Sequence, residues 1–111
     1  MKTRDSAILS KIESEALAIA NMIQGINCNS FLENDEKQRA VCMTLINIGE
    51  LVKHLTNEFR IENKHVPWKK VAGLRDVAVH GYHTLDMQDV WMDASMHVPT
   101  FLAQLQEILG K

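Results

Sequence analysis

Two cysteines, two prolines and a single tyrosine are scarce in a chain of 111 residues, and each scarcity narrows the reading. Cys28 and Cys42 lack the close spacing that redox and zinc motifs need, so neither chemistry is visible, and they read as buried or free thiols with a disulfide as the alternative. So few prolines, with five glycines, exclude a linker or a low-complexity segment. No apolar run is long enough to cross a bilayer and no secretory signal is seen, which predicts a soluble, cytoplasmic protein with no membrane partner. A net charge of −2 excludes a polycation that coats nucleic acid by charge alone. Strand-like alternation and internal repeats are also missing. So are a glycine-rich phosphate loop and the carboxylate pattern of a nucleotidyltransferase, so the chain is expected to take no cofactor and not to activate ATP itself.

What remains is helical periodicity over one domain, residues 1–111. Hydrophobic residues make up 46% of the chain, enough for a core that buries roughly two-thirds of the unfolded surface. A first helix is predicted from about Asp5 to Ile26, with Ile8, Ile12, Ile19, Ile23 and Ile26 on one face and Lys11, Glu13, Ser14 and Asn21 on the other. Asn27-Cys28-Asn29-Ser30 reads as a turn. A second helix spans about Asn34 to Asn57, capped by Asn34 or Asp35, with the stripe Val41, Leu45, Ile48, Val52 and Leu55 suited to lengthwise packing. A third begins at His65-Val66-Pro67-Trp68, carries Val71, Leu74 and Ala78, and is expected to end at His80-Gly81 with the glycine as a left-handed cap. A fourth starts at Leu85-Asp86 with Asp86 as N-cap, is kinked or split at Pro99, and resumes through Phe101, Leu102, Leu105, Ile108 and Leu109. Short connections favour an antiparallel, up-and-down four-helix bundle, all-α. Gly49 and Gly73 interrupt helices at about 1 kcal/mol each, which suggests close helix–helix approach or room for a partner, with a tolerated defect as the plainer reading.

Charge is uneven. Six basic residues (Lys53, Arg60, Lys64, Lys69, Lys70, Arg75) face three acidic ones (Glu58, Glu62, Asp76) between Lys53 and His83, whereas Asp86, Asp89, Asp93 and Glu107 outweigh Lys111 beyond. Within the basic stretch the end of the third helix gathers Arg75, Asp76, His80, Tyr82 and His83. Asp76 and His80 are four residues apart, so the carboxylate is within reach of the imidazole and able to fix its tautomer. His80 lies where the helix dipole favours a protonated ring. Arg75 stands on another azimuth, but its side chain is long enough to fold toward the same end and offer a forked donor set to a phosphate. Arginine with histidine is a metal-free kit for cleaving RNA: the imidazole moves the proton of a ribose 2′-OH or of the leaving 5′-oxygen, and the guanidinium steadies the phosphorane charge. A helix cap with a surface ion pair accounts for the same spacing.

Other candidates read more plainly. Glu50 either supports the motif or points to solvent. Asn47 is polar surface or a helix–helix hydrogen bond. His54, His65 and His97 are scattered and His80-x-x-His83 has no acidic or cysteine company, so no metal site is expected. Trp68 and Trp91 read as core or interface anchors, and the methionines as gap fillers.

Arg75-x4-His80-x-Tyr82, with Ile48-Gly49-Glu50 before it, Pro67-Trp68 and Ala72-Gly73-Leu74-Arg75 leading into it, and Asp86 with Val90-Trp91 after it, resembles the HepT-like branch of the HEPN superfamily. The likeness is firmest from Ile46 to Trp91 and extends loosely over nearly the whole chain, including Arg39 to Val41. His83 departs from the apolar or aromatic residue often found after the motif tyrosine. The resemblance implies an all-α homodimer with two motif copies at a shared cleft. It implies the toxin of a two-gene toxin–antitoxin system, a metal-independent endoribonuclease acting on RNA, with tRNA a candidate, through Arg75 and His80. It also implies an MntA-like minimal nucleotidyltransferase antitoxin that uses ATP and Mg to transfer AMP to the motif tyrosine, Tyr82. Bulky phosphate beside Arg75 and His80 would then block RNA by occupancy and charge. A reading of another class is a non-catalytic helical subunit that positions substrate for such a transferase.

Overall fold

Capping side chains decide where the helices begin. In the computed structural model, which describes residues 1–111, Asn27 accepts a hydrogen bond from the Ser30 N–H at 2.9 Å and Asn34 one from the Lys37 N–H at 3.0 Å. Thr56 accepts from the Phe59 N–H at 3.2 Å. These three caps open α2 (Cys28–Leu32), α3 (Asp35–Lys53) and α4 (Asn57–Glu62). α1 (Thr3–Ile23) precedes them, while α5 (Trp68–Ala72), α6 (Leu74–Thr84), α7 (Met87–Met92) and α8 (Val98–Ile108) follow. There is no strand, and the fold is all-α.

Several boundaries differ from the expected ones, each for a local reason. Asn27 caps a short helix where a turn is expected, because its side chain also accepts from the Ser30 hydroxyl. The second helix stops at Lys53 instead of Asn57, since Thr56 starts α4 in its place. The expected third helix is divided at Gly73 into α5 and α6. Gly81 is not its left-handed cap: α6 runs on to Thr84 and Leu85 takes that conformation at φ 63°. Gly81 is needed for space, because a Cβ there would lie 2.8 Å from Val90 Cγ2 and 2.9 Å from the Asp86 carbonyl oxygen. Asp86 holds the N-cap position of α7 without a side-chain capping bond. Before Pro99, residues Asp93–His97 form a π-helical turn, and the proline itself lies in the first turn of α8. A proline cannot donate to the carbonyl four residues back, and a widened turn absorbs that break.

α3 is central, flanked by α1 on one side and by α5 and α6 on the other, with α8 packed on α1. Its stripe Val41, Leu45, Ile48 and Val52, continued by Leu55 just beyond its end, is buried as the spacing predicts. Each such side chain contributes about 1.5–3 kcal/mol on leaving water. Trp68 is a core anchor whose indole N–H donates to the Asn63 carbonyl at 3.0 Å, and Trp91 packs on Phe31 with ring centroids 5.3 Å apart. Asn47 reaches α1, donating to Glu15 at 3.4 Å. Glu13, expected on the polar face of α1, is buried instead and bound by Lys111 Nζ at 2.7 Å. That hydrogen bond, against the opposing pull of burial, holds the Glu13 carboxyl below its ordinary pKa. Cys28 and Cys42 are free thiols, and burial pushes Cys42 up. No helix is long and apolar enough to cross a membrane.

Candidate functional site

The missing side chain of Gly49 lets α3 and the α5–α6 corner touch. A Cβ at this position would lie 2.8 Å from both the Ala72 carbonyl oxygen and Arg75 Cβ. Arg75 therefore leaves α6 directly against α3, one residue from Glu50. Its Nε lies 3.4 Å from Glu50 Oε1, and its Nη1 donates to Asp76 Oδ1 at 3.1 Å. Lys53 adds a third charge, with Nζ 3.3 Å from the same Glu50 oxygen. Glu50 thus faces solvent and also holds the motif arginine. Exposed pairs of this kind stabilise little, but they aim the guanidinium along the α3–α6 seam. Asp76 is paired with Arg75 beside it, and no hydrogen bond joins it to His80.

Tyr82 lies on the same edge of α6 as Arg75, two turns further on. Its ring is half-buried, and the Arg39 guanidinium from α3 sits over it with Cζ 5.3 Å from the centroid. Arg39 Nε donates to Asp35 Oδ2 at 2.7 Å. The hydrogen bond and charge of Asp35, joined by the adjacent Tyr82, push the Arg39 pKa above its ordinary value. Between the helices runs a cleft of about 290 Å³, rimmed by Arg39, Met43, Ile46, Val79, Tyr82 and His83. Met43 is 59% exposed there although it is apolar.

His80 stands apart from both. Five residues along a helix turn it roughly 140° from Arg75. Its ring is exposed, and only its backbone carbonyl is engaged, by the Thr84 hydroxyl at 2.8 Å. Within one chain the structure therefore groups Arg75, Glu50 and Asp76, groups Tyr82 with Arg39, and leaves His80 on a separate face. His83 packs edge-on to Tyr82 with centroids 6.1 Å apart.

A second cavity of about 400 Å³ opens between α5 and α8, lined by Lys70, Leu74, Asp93, His97 and Phe101 among others. Asp93 Oδ1 is 2.7 Å from His97 Nδ1, while its Oδ2 is buried without a hydrogen-bond partner. Burial raises the Asp93 carboxyl, and the His97 contact only partly offsets it. Sequence reasoning missed this pair, although Asp93-x-x-x-His97 has the spacing of neighbours on a helix face. It also gave Arg39 no role beyond its place in the looser family resemblance, although Asp35 four residues before it signals a helix-face ion pair.

Comparison with known proteins places this chain in a family. A protein of Caldanaerobacter subterraneus subsp. tengcongensis, named as a candidate RNase, is 34% identical over 103 residues, covering 93% of this chain and 92% of its own. One of Methanocaldococcus jannaschii, also named as a candidate RNase, is 32% identical over 110 residues, covering 98% and 95%. One of Thermococcus cleftensis, named as a probable ribonuclease HepT, is 26% identical and covers 97% and 98%. No solved structure matches the chain. Residues 12–108 match the family described as Ribonuclease HepT-like, and the chain belongs to that family.

Proposed function

We propose that this protein is a metal-independent endoribonuclease, the toxin of a two-gene toxin–antitoxin system. The observation that carries the reading is the α6 helix, which in a ribonuclease HepT-like chain displays Arg75, His80 and Tyr82 together on a helix bordered by an open apolar cleft. Arg75 binds the scissile phosphate and stabilises the phosphorane. His80 takes the proton from the ribose 2′-OH or gives one to the leaving 5′-oxygen. Two copies of the chain form the working enzyme. The separation of His80 from Arg75 around one helix supports this, since a second α6 facing the first would bring one copy's histidine toward the other's arginine. The exposed Met43 and the cleft beside it suit burial between copies. The helices are then read as an antiparallel four-helix bundle: α1, α3, the α5–α6 pair and the α7–α8 run.

RNA is the substrate, tRNA being the favoured class. The partner is a minimal nucleotidyltransferase antitoxin of the MntA type, which spends ATP and Mg to place AMP on Tyr82. The alternative, a non-catalytic subunit that positions substrate for such a transferase, keeps the partner and drops the cleavage. Partner-free protein is expected to degrade RNA in EDTA, and His80→Ala to abolish this with the helical circular dichroism unchanged. Absence of cleavage by dimeric, unmodified protein across several RNAs would favour the alternative. Incubation with the transferase and Mg-ATP is expected to add AMP to the wild type and nothing to Tyr82→Phe.

A further inference from the structure

We infer that Arg39 is a positioning residue for Tyr82: it orients the phenol as a nucleotide acceptor and supplies the charge that holds the phosphate once it is attached. The inference rests on the reading of Tyr82 as the acceptor and names the residue that regulates that step. Arg39 comes from α3, outside the motif, and reaches across the seam to lie over the ring at 5.3 Å. Asp35 fixes it through Nε at 2.7 Å. A guanidinium carries five N–H donors in a rigid fork, so an Nε engaged by Asp35 still leaves the two Nη groups to face an anion. The Tyr82 ring is half-buried at the rim of the apolar cleft while Arg39 stays largely in water, and a guanidinium over an aromatic face is attracted to the ring in such a setting.

The geometry gives each part a task. The Tyr82 hydroxyl attacks the α-phosphorus of ATP, forming the new P–O bond. The bond from that phosphorus to the pyrophosphate oxygen breaks, pyrophosphate leaves with the electron pair, and the phenolic proton passes to solvent. ATP is held by the transferase, so Arg39 has no part in gripping the nucleotide. It restrains the ring before attack and pairs with the phosphodiester anion after it. Lysine in its place would keep the charge and lose the fork and the stacking plane.

Tyr82 is the only tyrosine in the chain, so ring-labelled tyrosine gives one set of NMR signals that reports this site alone. Arg39→Gln is expected to shift those signals and speed ring rotation, with Asp35→Asn doing the same to a smaller extent. In the transfer assay, followed by intact mass with the partner transferase and Mg-ATP, Arg39→Gln is expected to lower the rate constant about 10-fold. The KM for ATP stays unchanged and Arg39→Lys recovers part of the rate. A wild type modified at Tyr82 alongside an Arg39→Gln protein modified just as fast overturns the inference while sparing the acceptor reading. A loss confined to the KM for ATP overturns it as well. An unmodified wild type whose ring signal depends on Arg39 sinks the acceptor reading and with it the phosphate role, leaving only the orientation of the ring. A ring signal indifferent to Arg39 removes that too.

Discussion

Glu50 Oε1 on α3 and Arg75 Nε on α6 lie 3.4 Å apart, so the motif arginine is held from a second helix as well as by its neighbour Asp76. Both partners are close to half exposed, which makes the pair a weak source of stability and a real constraint on direction. Glu50→Gln is therefore expected to change unfolding free energy by less than about 0.5 kcal/mol. RNA cleavage should fall about 10-fold as the guanidinium loses its aim. Chemical denaturation and a cleavage time course on the same preparation test this; unchanged cleavage would show that Asp76 alone orients Arg75.

Gly49 is the contact that makes the first relationship possible. With a Cβ only 2.8 Å from the Ala72 carbonyl oxygen and from Arg75 Cβ, Gly49→Ala must push the α5–α6 corner off α3. Overpacking of this kind costs about 1–3 kcal/mol. The displaced segment carries Arg75, so activity should drop further than stability does at temperatures where the variant is folded. A gain in stability from the better helix former would mean that the helices part freely there.

Much of this was legible in the residues, because burial follows periodicity. The buried stripe from Val41 through α3 to Leu55 just past it, and the close approach at Gly49, were both readable from spacing and residue size. Local capping contests were harder. Asn27 and Thr56 each start a short helix, a choice decided by single hydrogen bonds that composition does not rank. The motif was visible as a set of residues, but its division was less so. Where the Arg75 guanidinium points depends on Glu50, twenty-five residues earlier, and the Arg39–Tyr82 contact spans a still longer gap. Long-range pairings such as Asp5 with Thr56 leave no mark on local pattern at all.

Leu85 carries the strain that was expected at a glycine. It is a branched side chain at φ 63°, closing α6 while the Asp86 N–H bonds the Gly81 carbonyl at 3.0 Å. The left-handed conformation costs an L-residue about 1–2 kcal/mol, and Leu85 is 83% exposed, so little packing offsets it. Leu85→Gly is expected to stabilise by about 1 kcal/mol, raising Tm by roughly 4–8 °C. Calorimetry would expose the opposite outcome, a lower Tm, if the exposed leucine were buried in a dimer.

Two buried aspartates should make stability depend on pH in opposite directions. Burial by itself would raise Asp5, but hydrogen bonds from the Thr56 N–H at 2.9 Å and hydroxyl at 2.7 Å, with Lys2 and Arg4 nearby, hold it below its ordinary 3.8. Its contribution is thus present above 3.8 and lost as pH falls through the folded value below that. Asp93 is raised, chiefly by burial, so its neutral form suits the fold; that contribution is present below 3.8 and lost as pH rises through a folded value above it. Asp5→Asn replaces one acceptor with a donor facing Thr56 and should cost about 1–3 kcal/mol at neutral pH. The same variant should flatten the fall in stability on acidification from roughly pH 5 to roughly pH 2. Asp93→Asn should do the reverse, gaining on the wild type as pH rises from about 4 toward neutrality. Urea midpoints across the range decide both, and parallel profiles for wild type and Asp93→Asn would show that His97 compensates the buried carboxylate fully.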